Sequence, residues 1–167
     1  MKITFHDFEG PVFKAFESKY SEMYDCDDFC IFWPEHSSVR EIAVRTAAFV
    51  GPSPTVFLHE TLVWESLRKH ELEKIVTDRC PELGGLTDGY VIEFEDSPTD
   101  LVIDFLQFAM ASVHAILVDS QDKTRTLVAS GDEGILARAG EGDVDGRNQI
   151  RELMELLQQV RLEKRGG

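Results

Sequence analysis

The residues of this chain best suited to chemistry are its clustered acids, its three cysteines and its histidines. The run from Glu141 to Glu152 is the most suggestive. It sets acids at positions one, three, five and twelve (Glu141, Asp143, Asp145, Glu152) and Gly146 at position six, the order in which a calcium-binding EF-hand loop offers its oxygens. It departs from that pattern in having Glu rather than Asp at position one and Asn148 where a hydrophobic residue belongs, and no convincing helical pattern precedes it. The preferred reading is an acidic loop in which Asp145 or a neighbour caps the last helix, and no metal or cofactor is expected.

Other groups are weaker. His59-Glu60 opens like a zinc-protease motif, but Val63 stands where the second histidine is required. His59 and His70 would share a face of an unbroken helix, yet about three turns apart, too far for one metal. Cys26 and Cys30, with Asp25, Asp27 and His36 nearby, are suitable zinc donors by type, but no second cysteine pair follows. Cys80 as a nucleophile would need a base that sequence cannot place beside it. Asp100, Asp104, Gln107 and His114 align as a narrow polar stripe on an otherwise apolar helix. A buried carboxylate there could serve as an acid or base, although a solvent-facing strip is the simpler expectation. No phosphate-cradling glycine loop or serine nucleophile elbow occurs.

The charge is uneven. The 167 residues carry 31 acids against 17 Lys and Arg, a formal net charge of −14. Residues 85–146 hold 13 acids and 3 basic groups, and residues 1–36 hold 8 and 3. Such a field repels nucleic-acid phosphates and anionic lipid, and it speeds encounter with a basic protein surface. The early charges Lys2, His6 and Asp7 argue against a cleaved leader, and Asp104, Gln107 and His114 interrupt the longest apolar stretch, so no membrane span is expected. Three cysteines without regular spacing suit a reducing cytoplasm.

The elements that must position these groups read as follows. Ile3–Phe5 suits a strand, and Gly10-Pro11 precedes the amphipathic spacing of Val12, Phe13, Phe16 and Tyr20. Phe29–Trp33 is β-prone up to Pro34. Val39 to Val50 fits either helix or strand, because apolar residues recur at both periods. Gly51-Pro52-Ser53-Pro54 is a firm break, and from about Thr55 to Arg79 the apolar residues fall at helical intervals. Gly89–Glu95 alternates like a strand. Ser97-Pro98-Thr99-Asp100 reads as a helix start, with Ser97 as cap, Pro98 at the first position and Asp100 favourably placed against the dipole. Ala115–Asp119 and Arg125–Ala129 form a hairpin about a polar loop, Ile135–Ala139 adds a strand, and Ile150, Leu153, Met154, Leu157 and Val160 stripe a final helix.

The whole is expected to be one α+β domain over residues 1–167, with a mixed or antiparallel sheet of four to six strands packed against three or four helices. With no catalytic motif, the leading expectation is a non-enzymatic module that binds a basic protein. Its candidate contacts are Asp25, Asp27, Asp28, Asp132, Glu133, Asp143 and Asp145, with Tyr24 and Trp33 as aromatic anchors. In size, acidity and α+β character the chain is similar to bacterial immunity proteins that neutralise toxin domains, nucleases among them; the likeness is one of type and carries over no residue. A small enzyme built on the His59–Cys80 region or the Asp104 stripe, and an assembly subunit with a merely solubilising surface, are the alternatives. Oligomeric state stays open.

Overall fold

In the computed structural model, the described residues are 2–5, 10–24, 30–31, 39–58, 90–112, 115–130 and 134–165. They form seven strands and four helices: β1 (Lys2–Phe5), α1 (Pro11–Tyr24), β2 (Cys30–Ile31), α2 (Val39–Val50), β3 (Thr55–Leu58), β4 (Tyr90–Glu93), α3 (Thr99–Ser112), β5 (Ala115–Asp119), β6 (Arg125–Ser130), β7 (Gly134–Ala139) and α4 (Val144–Arg165). The strands make one sheet in the order β1-β4-β3-β5-β6-β7-β2, antiparallel at every pairing. The α+β architecture with an antiparallel sheet is therefore as the sequence implies, with one strand beyond the four to six expected.

The additional strand is β3, which the sequence reading placed at the start of a helical region. Three of its four residues, Thr55, Val56 and Phe57, are β-branched or aromatic, and it lies between β4 and β5 with Val56 and Leu58 buried. Helical spacing seen from Leu58 onward concealed it, because a four-residue strand is specified by distant partners and not by its own period. The remainder of that region, 59–79, with His59 and His70, lies outside the described residues, as does Cys80.

The ambiguity over residues 39–50 resolves as a helix. Val39, Ile42, Ala43, Thr46, Ala47, Phe49 and Val50 are buried at intervals of three and four. Glu41 and Arg45, which strand alternation would place on the buried face, are exposed. Gly51 ends the helix at φ +84°, a left-handed conformation that a side chain disfavours, and its N–H donates to the Ala47 carbonyl at 3.0 Å.

Alternation along the strands divides the sheet into two faces. Val56, Leu58, Ile92, Ile116, Val118, Leu127, Ala129, Ile135 and Ala137 join the main core with α2, α3 and Leu153 of α4. Within it the Phe94 and Phe105 rings lie 5.1 Å apart and tilted by 52°, a favourable aromatic contact. On the other face Leu117, Val128 and Leu136 stand side by side across three strands, with Phe57 against them. Helix α1 lies on that side: Lys19 donates to the buried Asp119 carboxylate at 2.5 Å, and the Thr126 hydroxyl donates to the same oxygen at 2.6 Å.

The start of α3 differs in detail from its expectation. The Pro98 carbonyl accepts the first helical N–H groups, from Leu101 and Val102, while the Ser97 hydroxyl donates to the Glu95 carbonyl instead of capping. Asp100 takes the capping part, accepting the Leu101 N–H at 3.1 Å. Among the described residues, no helix is long and apolar enough to cross a membrane.

Candidate functional site

Three chain segments meet at one end of the sheet: the C-terminal turn of α2, the β5–β6 hairpin and the loop from β7 into α4. They enclose an open cleft of about 620 Å³, whose charged lining is Asp122, Glu141 and Asp143 against Arg125.

Arg125, the first residue of β6, holds the three segments together. Its Nε and Nη2 donate to the two Asp143 oxygens at 2.7 and 3.0 Å, a bidentate pair. Its Nη1 donates to the Phe49 carbonyl at 3.0 Å and the Gln149 amide oxygen at 3.1 Å, and Nη2 reaches Asp145 at 3.3 Å. Those five bonds match the five N–H groups of a guanidinium. The guanidinium also lies 5.7 Å from the Phe49 ring centroid, close enough for a cation–π contact. Hydrogen bonding to Asp143 raises the Arg125 pKa further above its ordinary value, and the same bond, with the Gly146 N–H, pulls the Asp143 carboxyl below the usual carboxylate range.

Asp143 is also the cap of α4. Its Oδ1 accepts the Gly146 N–H at 2.9 Å. A side chain at Gly146 would place its Cβ 2.5 Å from Asp143 Oδ2 and 3.0 Å from the Ala139 Cβ. The glycine is thus required by the close approach of the capping carboxylate. The calcium-like spacing of 141–152 has this origin. Helix begins at Val144, Asp143 and Asp145 turn to Arg125, and Glu152 pairs with Arg45 of α2 at 3.2 Å, so three of the four acids of that pattern are divided between two partners. Among the described residues, no group of three or more His, Cys, Asp or Glu is placed to hold a metal ion.

The hairpin wall is ordered by Asp122. One of its oxygens accepts from the Ser120 hydroxyl at 2.7 Å, the Thr124 hydroxyl at 2.8 Å and the Thr124 N–H at 3.1 Å. These bonds, that from Ser120 first, lower its pKa to about 2. Lys123 adopts φ +59° and donates its N–H to the Ser120 carbonyl, closing the turn. Asp122 therefore stays ionised at the cleft mouth throughout the physiological range.

Of the contacts expected from sequence, Asp143 and Asp145 do come together here, but in different states. The Asp143 side chain is 22% exposed and committed to Arg125, whereas Asp145 is 77% exposed and only grazes it. Tyr24 is the last residue of α1, and its side chain lies outside the described residues, as do Asp25, Asp27, Asp28, Trp33, Asp132 and Glu133. Of the cleft acids, sequence reasoning missed Asp122, and it weighed Glu141 as a cation donor but not as a partner contact. Arg125 was missed too, and it had a signal: it is one of three basic residues in the acid-rich stretch 85–146, and it opens an apolar strand.

The Asp104 stripe is divided: Asp100 is exposed and Gln107 half-buried, as a solvent-facing strip requires, Asp104 is not, and His114 lies outside the described residues. Asp104 is buried in the α2–α3 contact, where Arg40 Nη1 donates to it at 3.0 Å and to the Gln107 side-chain oxygen at 2.9 Å. No family model, curated protein or solved structure matches this chain.

Proposed function

We propose that this protein is a binding module for a basic protein and that the cleft between α2, the β5–β6 hairpin and the β7–α4 loop receives a cationic part of that partner. One observation carries the reading: three carboxylates line the cleft against a single guanidinium whose N–H groups are all used internally. Arg125 fixes the walls, and the charge of Asp122 and Glu141 is left for a ligand. Exposed Asp145 adds to the rim. The net charge of −14 extends the same field and favours rapid capture of a positively charged surface. A cytoplasmic immunity or inhibitor-type role fits this chemistry, with the acidic face covering the basic surface of a toxin or nuclease domain. Asp104, the carboxylate that sequence offers for acid–base catalysis, is tied to Arg40, which supports binding over turnover.

The test is capture of partners from the native source at low and high salt by the wild-type chain and by Glu141→Lys/Asp145→Lys, followed by association kinetics with whatever basic protein is retained. Association should be at least tenfold slower for the variant and lose much of its salt dependence. Equal retention and equal rates for the two proteins would overturn the proposal.

A further inference from the structure

Beside the acidic cleft lies a second, smaller depression. It has a volume of about 220 Å³ and is lined by Ala47, Ala48, Gly51, Pro52, Thr99 and Val102, with no charged group among them. The two share Gly51 and Pro52, so the turn that ends α2 is a ridge with an acidic cleft on one side and an apolar notch on the other. The ridge itself is bare: a Cβ built on Gly51 would meet nothing within 4 Å, which leaves room for another backbone to lie directly against it.

Resting on the binding role proposed above, we infer that the partner is read by a segment crossing the Gly51–Pro52 ridge, with an arginine or lysine in the cleft and an adjoining aliphatic side chain in the notch. The charge of the cleft selects the cation. Asp122 and Glu141 supply it, and the C-terminal turn of α2, whose Phe49 and Val50 form part of the wall, adds the negative end of its helix dipole. The notch selects the neighbour by size and polarity. It falls below the ~300–1,000 Å³ of pockets that enclose drug-sized ligands, and its lining suits one Val, Leu or Ile side chain. A basic surface without an aliphatic residue beside the cation would fill only half of the site, so the pairing gives specificity that net charge cannot.

The test uses the full chain labelled with ¹⁵N, titrated at low ionic strength with three capped tetrapeptides that carry arginine–leucine, arginine–alanine or glutamate–leucine at the centre and alanine elsewhere. The arginine–leucine peptide should shift the amides of Glu141 and Gly142 on one side and of Ala48, Thr99 and Val102 on the other. The arginine–alanine peptide should bind at least threefold more weakly and move the cleft amides only, and the glutamate peptide should move neither set. Ala48→Leu, which fills the notch from its exposed rim, should reduce arginine–leucine binding to the arginine–alanine level, while Glu141→Lys weakens both. Equal binding of the two arginine peptides, or an Ala48→Leu variant that binds arginine–leucine unchanged, would overturn the ridge and leave the cleft standing. No response of the cleft amides to either arginine peptide would overturn both.

Discussion

Replacing Arg125 by methionine keeps most of the side chain's length and removes every one of its hydrogen bonds. The Phe49 carbonyl and the Gln149 amide lose a donor, and Asp143 loses its bidentate partner while still capping α4. A hydrogen bond to a charged group contributes about 1.5–3 kcal/mol, and bonds within one network do not add. With the Arg125 side chain 20% exposed, water takes over part of the loss, so about 2–4 kcal/mol is expected. At roughly 2–4 °C per kcal/mol for a chain of this size, Tm should fall on the order of 10 °C. Urea unfolding followed by circular dichroism at pH 7 measures this directly. The pH dependence supplies a second check. Because Arg125 holds the Asp143 carboxyl below its ordinary 3.8, the stabilisation is complete above that value and is lost as pH falls through the depressed one. The gap between wild type and Arg125→Met should be constant from pH 7 to 5 and narrow below about pH 4. An unchanged urea midpoint at pH 7, or a gap that widens on acidification, would refute the role assigned to Arg125.

Gly146→Ala should lower stability by about 1 kcal/mol or more instead of gaining the ~1 kcal/mol usual for such a change within a helix, since the new Cβ meets the capping Asp143; a raised Tm would contradict this. Thr46→Val should stabilise by about 1 kcal/mol, because the buried Thr46 hydroxyl finds no hydrogen-bond partner among the described residues, and a lowered urea midpoint would count against it. Arg40→Ala should cost about 1–2 kcal/mol, less than for a fully buried pair because the Arg40 side chain is 56% exposed over the buried Asp104; thermal unfolding that does not change would show that Arg40 contributes nothing to the α2–α3 contact.

Local signals were sufficient where a segment's own residues decide its form. The apolar stretch that becomes α3 and β5, the β5–β6 hairpin about Ser120–Thr124, and the striped final helix all follow from periodicity and turn chemistry within a dozen residues. The uneven charge is likewise a property of the chain alone. What sequence could not decide are the features that depend on distant partners. Strand β3 exists because β4 and β5 flank it, and α2 is a helix because its buried residues meet α3 and the sheet. The cleft belongs to this second class. Phe49, Arg125 and Asp143 come from three separate segments, and only folding makes a bidentate acid–guanidinium pair of two residues 18 positions apart. Acidity was legible in the sequence, but which of the cleft carboxylates pair with Arg125 and which do not was decided by the tertiary structure, because hydrogen-bond partners are assigned by proximity in space.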